Sequence, residues 1–182
     1  KLGLRLVPRD RSGLVGMIDA SHYLHADGKG HWGLCLYFYG MCVLCISRKM
    51  KICTRSSSES EILGCNEGAV YILFIQELLN LIGVGVGLPI RIMQDNESAI
   101  GIMSGSHKLA MSSKHMNLRN LWIMDYIKRG IFEVVYRETA RMTPDILGKN
   151  LGGYLFQRHR YGMMNWKEIK PKEDSEDMYS LE

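Results

Sequence analysis

Four carboxylates stand where a protein of strands and helices would put reactive groups: Asp19, Glu61, Asp95 and Asp145. Asp19 closes an apolar run that starts at Gly13, and Asp95 closes one that starts at Leu88. Glu61 and Asp145 each open a segment with helical spacing. Singly, each acid has a plain structural role. Asp19 ends a strand at a turn, and Asp95 caps a turn or helix. Asp145 complements a helix dipole, and Glu61 reaches back to Ser58 in a capping box. Jointly they say more. In an α/β sheet, a strand's C-terminal end and the next helix's N-terminus share one edge, where ligands usually bind. Asp95 falls there, and Asp19 joins it if its strand runs parallel. Carboxylates gathered at one spot repel unless a cation lies between them, and hard oxygen ligands suit Mg²⁺ or Mn²⁺. Two such ions activate a water and stabilise the leaving oxygen of a phosphodiester.

Other reactive residues carry weaker signals. The five cysteines, Cys35, Cys42, Cys45, Cys53 and Cys65, are odd in number and do not suggest a secreted disulfide framework. Cys42 and Cys45 have the spacing of half a zinc site. No second pair follows, and their apolar surroundings predict buried core. His22, His25 and His31 fall in a polar turn and read as surface loop. The string Gly83 to Gly87 closes a helix with no lysine after it, so it is a loop and not a phosphate cradle. Lys108, Lys114, Arg119, Lys128 and Arg129 are candidates for phosphate contacts or for a solvated face. Trp32 and Trp122 would stack on bases or fill core.

The elements that must position the acids can be read from the pattern. Residues 1–13 are polar and basic and read as a leader or linker. Three β-rich runs follow in the first fifty residues, the second and third forming a hairpin around Tyr39-Gly40. A largely apolar helix is predicted from about Ser56 to residue 82. Leu88 to Gln94 is a strand, and Asp95 to Ser98 opens another helix. Residues 104–113 are a Ser/Gly/Lys loop. Lys114 to Arg129 is helical, Ile131 to Arg137 a strand, and Thr143-Pro144-Asp145 opens a last helix with Pro at its first position. The order β-β-β-α-β-α-α-β-α predicts an α/β fold with helices packed on a mixed sheet.

Composition sets the outer bounds. The chain has 182 residues, of which 46% are hydrophobic and 23% charged. That is the size of one domain and excludes a fully disordered or collagen-like chain. No uninterrupted apolar run of about 18 residues is present, so no membrane span is expected. The first residues, Lys1 to Pro8, show no initiator Met or secretory pattern and read as a piece of a longer polypeptide. The formal charge of +4 combines a basic body with an acidic end, residues 167–182, and suits a polyanionic partner. Residues 161–182 are expected to form a charged, disordered tail.

Five blocks of sequence resemble the ribonuclease H domain of copia-type LTR retrotransposon polyproteins, in that family's order. They are Met17-Ile18-Asp19-Ala20-Ser21; Ser47-Arg48-Lys49 with Ser56 to Glu61; Gln94 to Ile100; Lys114 to Arg119; and Pro144 to Lys149. The likeness covers residues 14–160, which would form a ribonuclease H-like domain with a five-stranded mixed sheet. It implies that Asp19, Glu61, Asp95 and Asp145 are the metal-binding catalytic acids, with Glu59 the runner-up to Glu61. It implies Mg²⁺ or Mn²⁺, two ions, and hydrolysis of the RNA strand of an RNA–DNA hybrid. A reverse transcriptase domain of the same polyprotein would be the partner, with no small-molecule cofactor and no membrane. The setting would be intracellular, a cytoplasmic particle or the nucleus. His115 and Ser98 are accessory candidates, and Lys108, Lys114 and Arg119 nucleic-acid contacts. The sequence departs from the family at Met50, Pro144, Gly148 and Asn150, and 137–143 lacks the histidine many ribonucleases H carry there. Two other readings are a catalytically silent remnant that binds nucleic acid or braces a polymerase, and an integrase-like nuclease of the same fold.

Overall fold

A computed structural model describes residues 3–107 and 122–166. Three strands come first: β1 (Leu14–Ser21), β2 (His31–Phe38) and β3 (Met41–Lys49). Helix α1 (Ser57–Leu81), strand β4 (Ile90–Gln94) and helix α2 (Glu97–Met103) follow. Then come helix α3 (122–128), strand β5 (Phe132–Tyr136), a single 3₁₀ turn, and helices α4 (Asp145–Gly148) and α5 (Gly153–Met163). The sheet order is β3-β2-β1-β4-β5. β1 pairs antiparallel with β2 and parallel with β4, and β4 pairs parallel with β5. The parallel pairing brings the ends of β1 and β4 to one edge.

Alternation along β1 sorts its side chains between two apolar layers. Leu14, Ile18 and Ala20 join the larger core with Ile62, Leu63, Ala69 and Ile72 of α1. Val15 and Met17 face the other way, with Cys35, Tyr37 and Met142. Asp19 falls on this second face. Trp32 is buried in the larger core, and Trp122 packs against it, so both serve the fold.

Helix α1 lies unusually close to β1 because Gly64 and Gly68 face it. A Cβ on Gly68 would stand 2.6 Å from Ile18 Cδ1, and one on Gly64 would stand 3.3 Å from both Ala20 and Trp32 Cβ. Gly68→Val is therefore expected to force the helix outward and to cost about 1–3 kcal/mol, measurable as a lower urea midpoint. An unchanged midpoint would mean the helix is free to shift. The first half of α1 is buried nearly all round, including Ser60 through Cys65. The helix is long and apolar enough to cross a membrane by length and composition. The sequence expectation relied on an uninterrupted run and missed this. A core helix of a layered domain has the same composition, and here that half of α1 packs on the sheet.

Two local expectations are corrected. The N-cap of α1 is Ser56, whose hydroxyl accepts from Glu59 N at 3.2 Å, while Glu59 Oε2 accepts from Arg55 N at 2.7 Å. Glu59 thus serves the cap, and the Ser58–Glu61 box does not form. The single last helix is instead two, α4 and α5. Lys149 is extended (φ −125°, ψ 146°), and the glycines at 148, 152 and 153 weaken helix continuation. Pro144 stands just before α4 instead of at its first position.

Candidate active site

The ladder between β1 and β4 ends at the pair Met17↔Met93, while β1 runs on to Ser21. Acids from both faces of the sheet converge in the space beyond. Asp19 comes from β1, Glu61 from the second turn of α1, and Asp95 from the residue after β4. One carboxylate oxygen from each lies within 4.8 Å of the other two. Asp19 is 2% exposed and Glu61 5%. Asp145 opens α4 and is also buried.

A lysine ties the fourth acid to the first. Lys149 Nζ donates to Asp19 Oδ1 and to Asp145 Oδ1, each at 2.9 Å. It lies four residues after Asp145 and stood inside the last motif block without a role. Gln94 is a second residue that sequence reasoning passed over. Its amide nitrogen donates to Glu61 Oε2 at 3.1 Å. Its amide oxygen accepts from Asp95 N at 2.7 Å and Asn96 N at 3.2 Å. One buried side chain therefore orients Glu61 and shapes the turn that carries Asp95. Asn96 then caps α2, accepting from Ala99 N at 2.9 Å.

Helix α4 has only one turn and depends on the sheet for its position. Gly33, the partner of Asp19 in the ladder, lets α4 lie flat on β2, and a Cβ there would sit 3.0 Å from Leu147 Cβ. Ser47 Oγ donates to Leu147 O at 2.9 Å, and His31 Nε2 bonds the same hydroxyl at 2.7 Å. His25 Nε2 in turn meets His31 Nδ1 at 3.2 Å. His22 points elsewhere, to Thr54 Oγ1. The three histidines thus form no common metal site. Two of them brace the turn that carries Asp145.

The electrostatics follow from crowding. Burial, then repulsion from Asp145, pushes the Asp19 carboxyl up to about 7. Burial, then repulsion from Asp19, pushes Glu61 up to about 9. Burial likewise raises Asp145. Burial works against the Lys149 ammonium, but Asp19 and Asp145 outweigh it and hold it above the ordinary lysine range. Such a cluster of hard oxygens has strong demand for positive charge.

Among the described residues, the remaining sequence candidates fall outside this cluster. Ser98 is exposed on the first turn of α2. His115, Lys108, Lys114 and Arg119 lie outside the described residues. Arg129 pairs with Asp125 at 3.5 Å and lies over the Tyr126 ring.

No protein-family model matches the sequence, and no curated protein does. Solved structures match by shape. The N-terminal RNase H domain of a Mycobacterium tuberculosis protein superposes with a TM-score of 0.52 and 14% identity, over 75% of this chain and 91% of that one. RNase H1 from Halobacterium salinarum gives 0.52 and 11%, over 74% and 93%. LC11-RNase H1, solved in complex with an RNA/DNA hybrid, gives 0.54 and 14%, again over 74% and 93%. At such identities the likeness is one of architecture, and it agrees with the strand order and the packing described above: the chain has the ribonuclease H-like fold.

Proposed function

We propose that this domain is a metal-dependent endonuclease that hydrolyses the RNA strand of RNA–DNA hybrids. The observation that carries the reading is the convergence of Asp19, Glu61 and Asp95 from three separate elements within 4.8 Å. Asp145 is joined to them through Lys149. A structural acid satisfies a cap or a surface charge; here Asp19, Glu61 and Asp145 are buried and Asp95 half-buried, gathered beyond the ends of two parallel strands. The donor set of carboxylate oxygens fits Mg²⁺ or Mn²⁺, and the Lys149 ammonium shows that the pocket accepts positive charge.

In this reading Asp19, Glu61, Asp95 and Asp145 hold the ions. Bound there, Mg²⁺ supplies Lewis acidity and a reactive water for attack on a phosphodiester. Gln94 keeps Glu61 turned toward the cluster. Ser47 and His31 hold α4 so that Asp145 faces Asp19. The hybrid substrate is supported by the shared fold with an RNase H1 solved on such a hybrid, and by the five motif blocks. The 2′-hydroxyl would mark the strand to be cut. The copia-like blocks also support a polyprotein setting beside a reverse transcriptase domain.

A second reading, a silent domain that still binds nucleic acid, is favoured by one observation. Lys149 occupies the space between Asp19 and Asp145, and a silent copy would keep it there. Labelled RNA–DNA hybrid incubated with the protein and Mg²⁺ or Mn²⁺ separates the two. Cleavage confined to the RNA strand, leaving 3′-hydroxyl and 5′-phosphate ends and stopped by chelator, is expected. Folded protein that binds the hybrid but leaves it intact with either ion would establish the silent reading instead.

A further inference from the structure

The sheet carries a second cluster of reactive side chains, made wholly of sulfur. On a regular strand, residues three apart point to opposite faces. β3 is irregular. Leu36 pairs with Leu44 and Tyr37 with Cys42, which leaves Val43 as the extra residue of a β-bulge. The bulge reverses the alternation, so Cys42 and Cys45 share one face. Cys35 on β2 pairs directly with Cys45. The Sγ atoms of Cys42 and Cys45 are 3.2 Å apart, and those of Cys45 and Cys35 are 3.8 Å apart. All three lie within 4.8 Å of one another.

We propose that Cys35, Cys42 and Cys45 form a binding site for one soft, thiophilic cation, Zn²⁺ or Cu⁺, distinct from the carboxylate pocket. Soft thiolate ligands select these ions. Zn–S bonds of about 2.3 Å at tetrahedral angles put sulfurs about 3.8 Å apart; the Cys35–Cys45 pair already has that spacing, and the Cys42–Cys45 pair, at 3.2 Å, would open slightly around an ion. Three convergent thiols are also one more than a disulfide uses. Closing Cys42 to Cys45 would leave Cys35 as a buried orphan; a three-sulfur site accounts for it.

The site is held from both ends. Asn165 Oδ1 accepts from Cys42 N at 2.6 Å, and its amide nitrogen donates to Cys42 O at 3.3 Å. A side chain after α5 thereby pairs with Cys42 as a strand neighbour would, and fixes its backbone. Cys35 and Cys42 are buried, whereas Cys45 is exposed. That exposure corrects the expectation of a wholly buried pair and gives an ion a way in. Among the described residues no histidine or carboxylate joins the group. Cu⁺ would be three-coordinate, and Zn²⁺ would take water on the Cys45 side.

The test uses the full chain, reduced and metal-free. Zn²⁺ is titrated against a chromophoric chelator, and Cu⁺ separately against a Cu⁺ chelator. One equivalent of at least one ion is expected to bind, with a sulfur-to-metal absorption band for Cu⁺. Cys45→Ser should weaken binding more than about 100-fold, while Cys53→Ser and Asp95→Asn leave it unchanged. Bound ion should also protect Cys35, Cys42 and Cys45 from alkylation, read by peptide mass, but not Cys53. This second measurement needs no variant to fold. Failure to take up either ion with all five thiols free, or uptake that survives Cys45→Ser, would overturn the site. Mg²⁺-dependent cleavage is independent of both outcomes.

Discussion

Glu61→Gln is expected to slow hybrid cleavage about a thousandfold or more and, at the same time, to make the metal-free protein more stable. The two effects share one cause. Glu61 is buried beside Asp19, and burial with that repulsion pushes its carboxyl up to about 9. In the unfolded chain it titrates near 4.3. The folded state therefore binds the proton more tightly. The stability this contributes is whole below about pH 4 and is lost as pH rises through about 9. Asp19, raised to about 7, adds a loss in the same direction. Glutamine keeps the shape, still accepts from Gln94, and carries no charge. At pH 8.5 with chelator its Tm should exceed wild type by roughly 4–8 °C, corresponding to about 2 kcal/mol. At pH 5 the gap should nearly close. Scanning calorimetry at the two pH values decides it. A variant less stable than wild type at pH 8.5 would show that the acids are not in conflict in the fold.

Lys149→Met addresses the other side of the same charge balance. The lysine neutralises Asp19 and Asp145 across two 2.9 Å contacts. Removing one partner of a buried ion pair leaves uncompensated charge. The Lys149 side chain is 34% exposed, so solvent screens part of the loss, and about 1–3 kcal/mol is expected without metal. The loss should grow as pH rises and the acids ionise. Mg²⁺ and the ammonium compete for the same oxygens, so the variant should need about tenfold less Mg²⁺ for half-maximal stabilisation, a change of about 1.4 kcal/mol. Thermal melts across a Mg²⁺ series provide the measurement. Equal Mg²⁺ requirements in the two proteins would mean that the lysine and the ion occupy different places.

Much of this architecture is legible in the sequence, for identifiable reasons. The apolar runs ending at Asp19 and Gln94 and the turn at Tyr39-Gly40 mark β1, β4 and the β2–β3 hairpin directly, because strand edges and turns have local chemistry. The preference for Glu61 over Glu59 comes from the family resemblance, in which the acid stands just before an apolar helix. In the structure Glu59 is engaged in capping at Arg55, and Glu61 is buried. What stayed hidden depends on contacts between distant residues. Lys149 reads as an ordinary surface lysine until Asp19 is brought to it from 130 residues away. Gln94 looks like a polar strand end until α1 lays Glu61 over it. The split between α4 and α5 falls at the extended Lys149, whose ammonium is drawn to Asp19 far away in the sequence. The meeting of Cys35 with Cys42 and Cys45 turns on a bulge, which no spacing rule in the sequence announces.

The alternation along β1 also bears on how such a sequence can fail. Ile18 and Ala20 face α1 while Asp19 faces α4, one residue out of step. An inserted or deleted residue between Leu14 and Asp19 would exchange the two sides. The acid would be pushed into the apolar layer, and apolar side chains would take its place at the pocket. Reactivity and foldability are thus written in one register, and a length change in β1 erases both together.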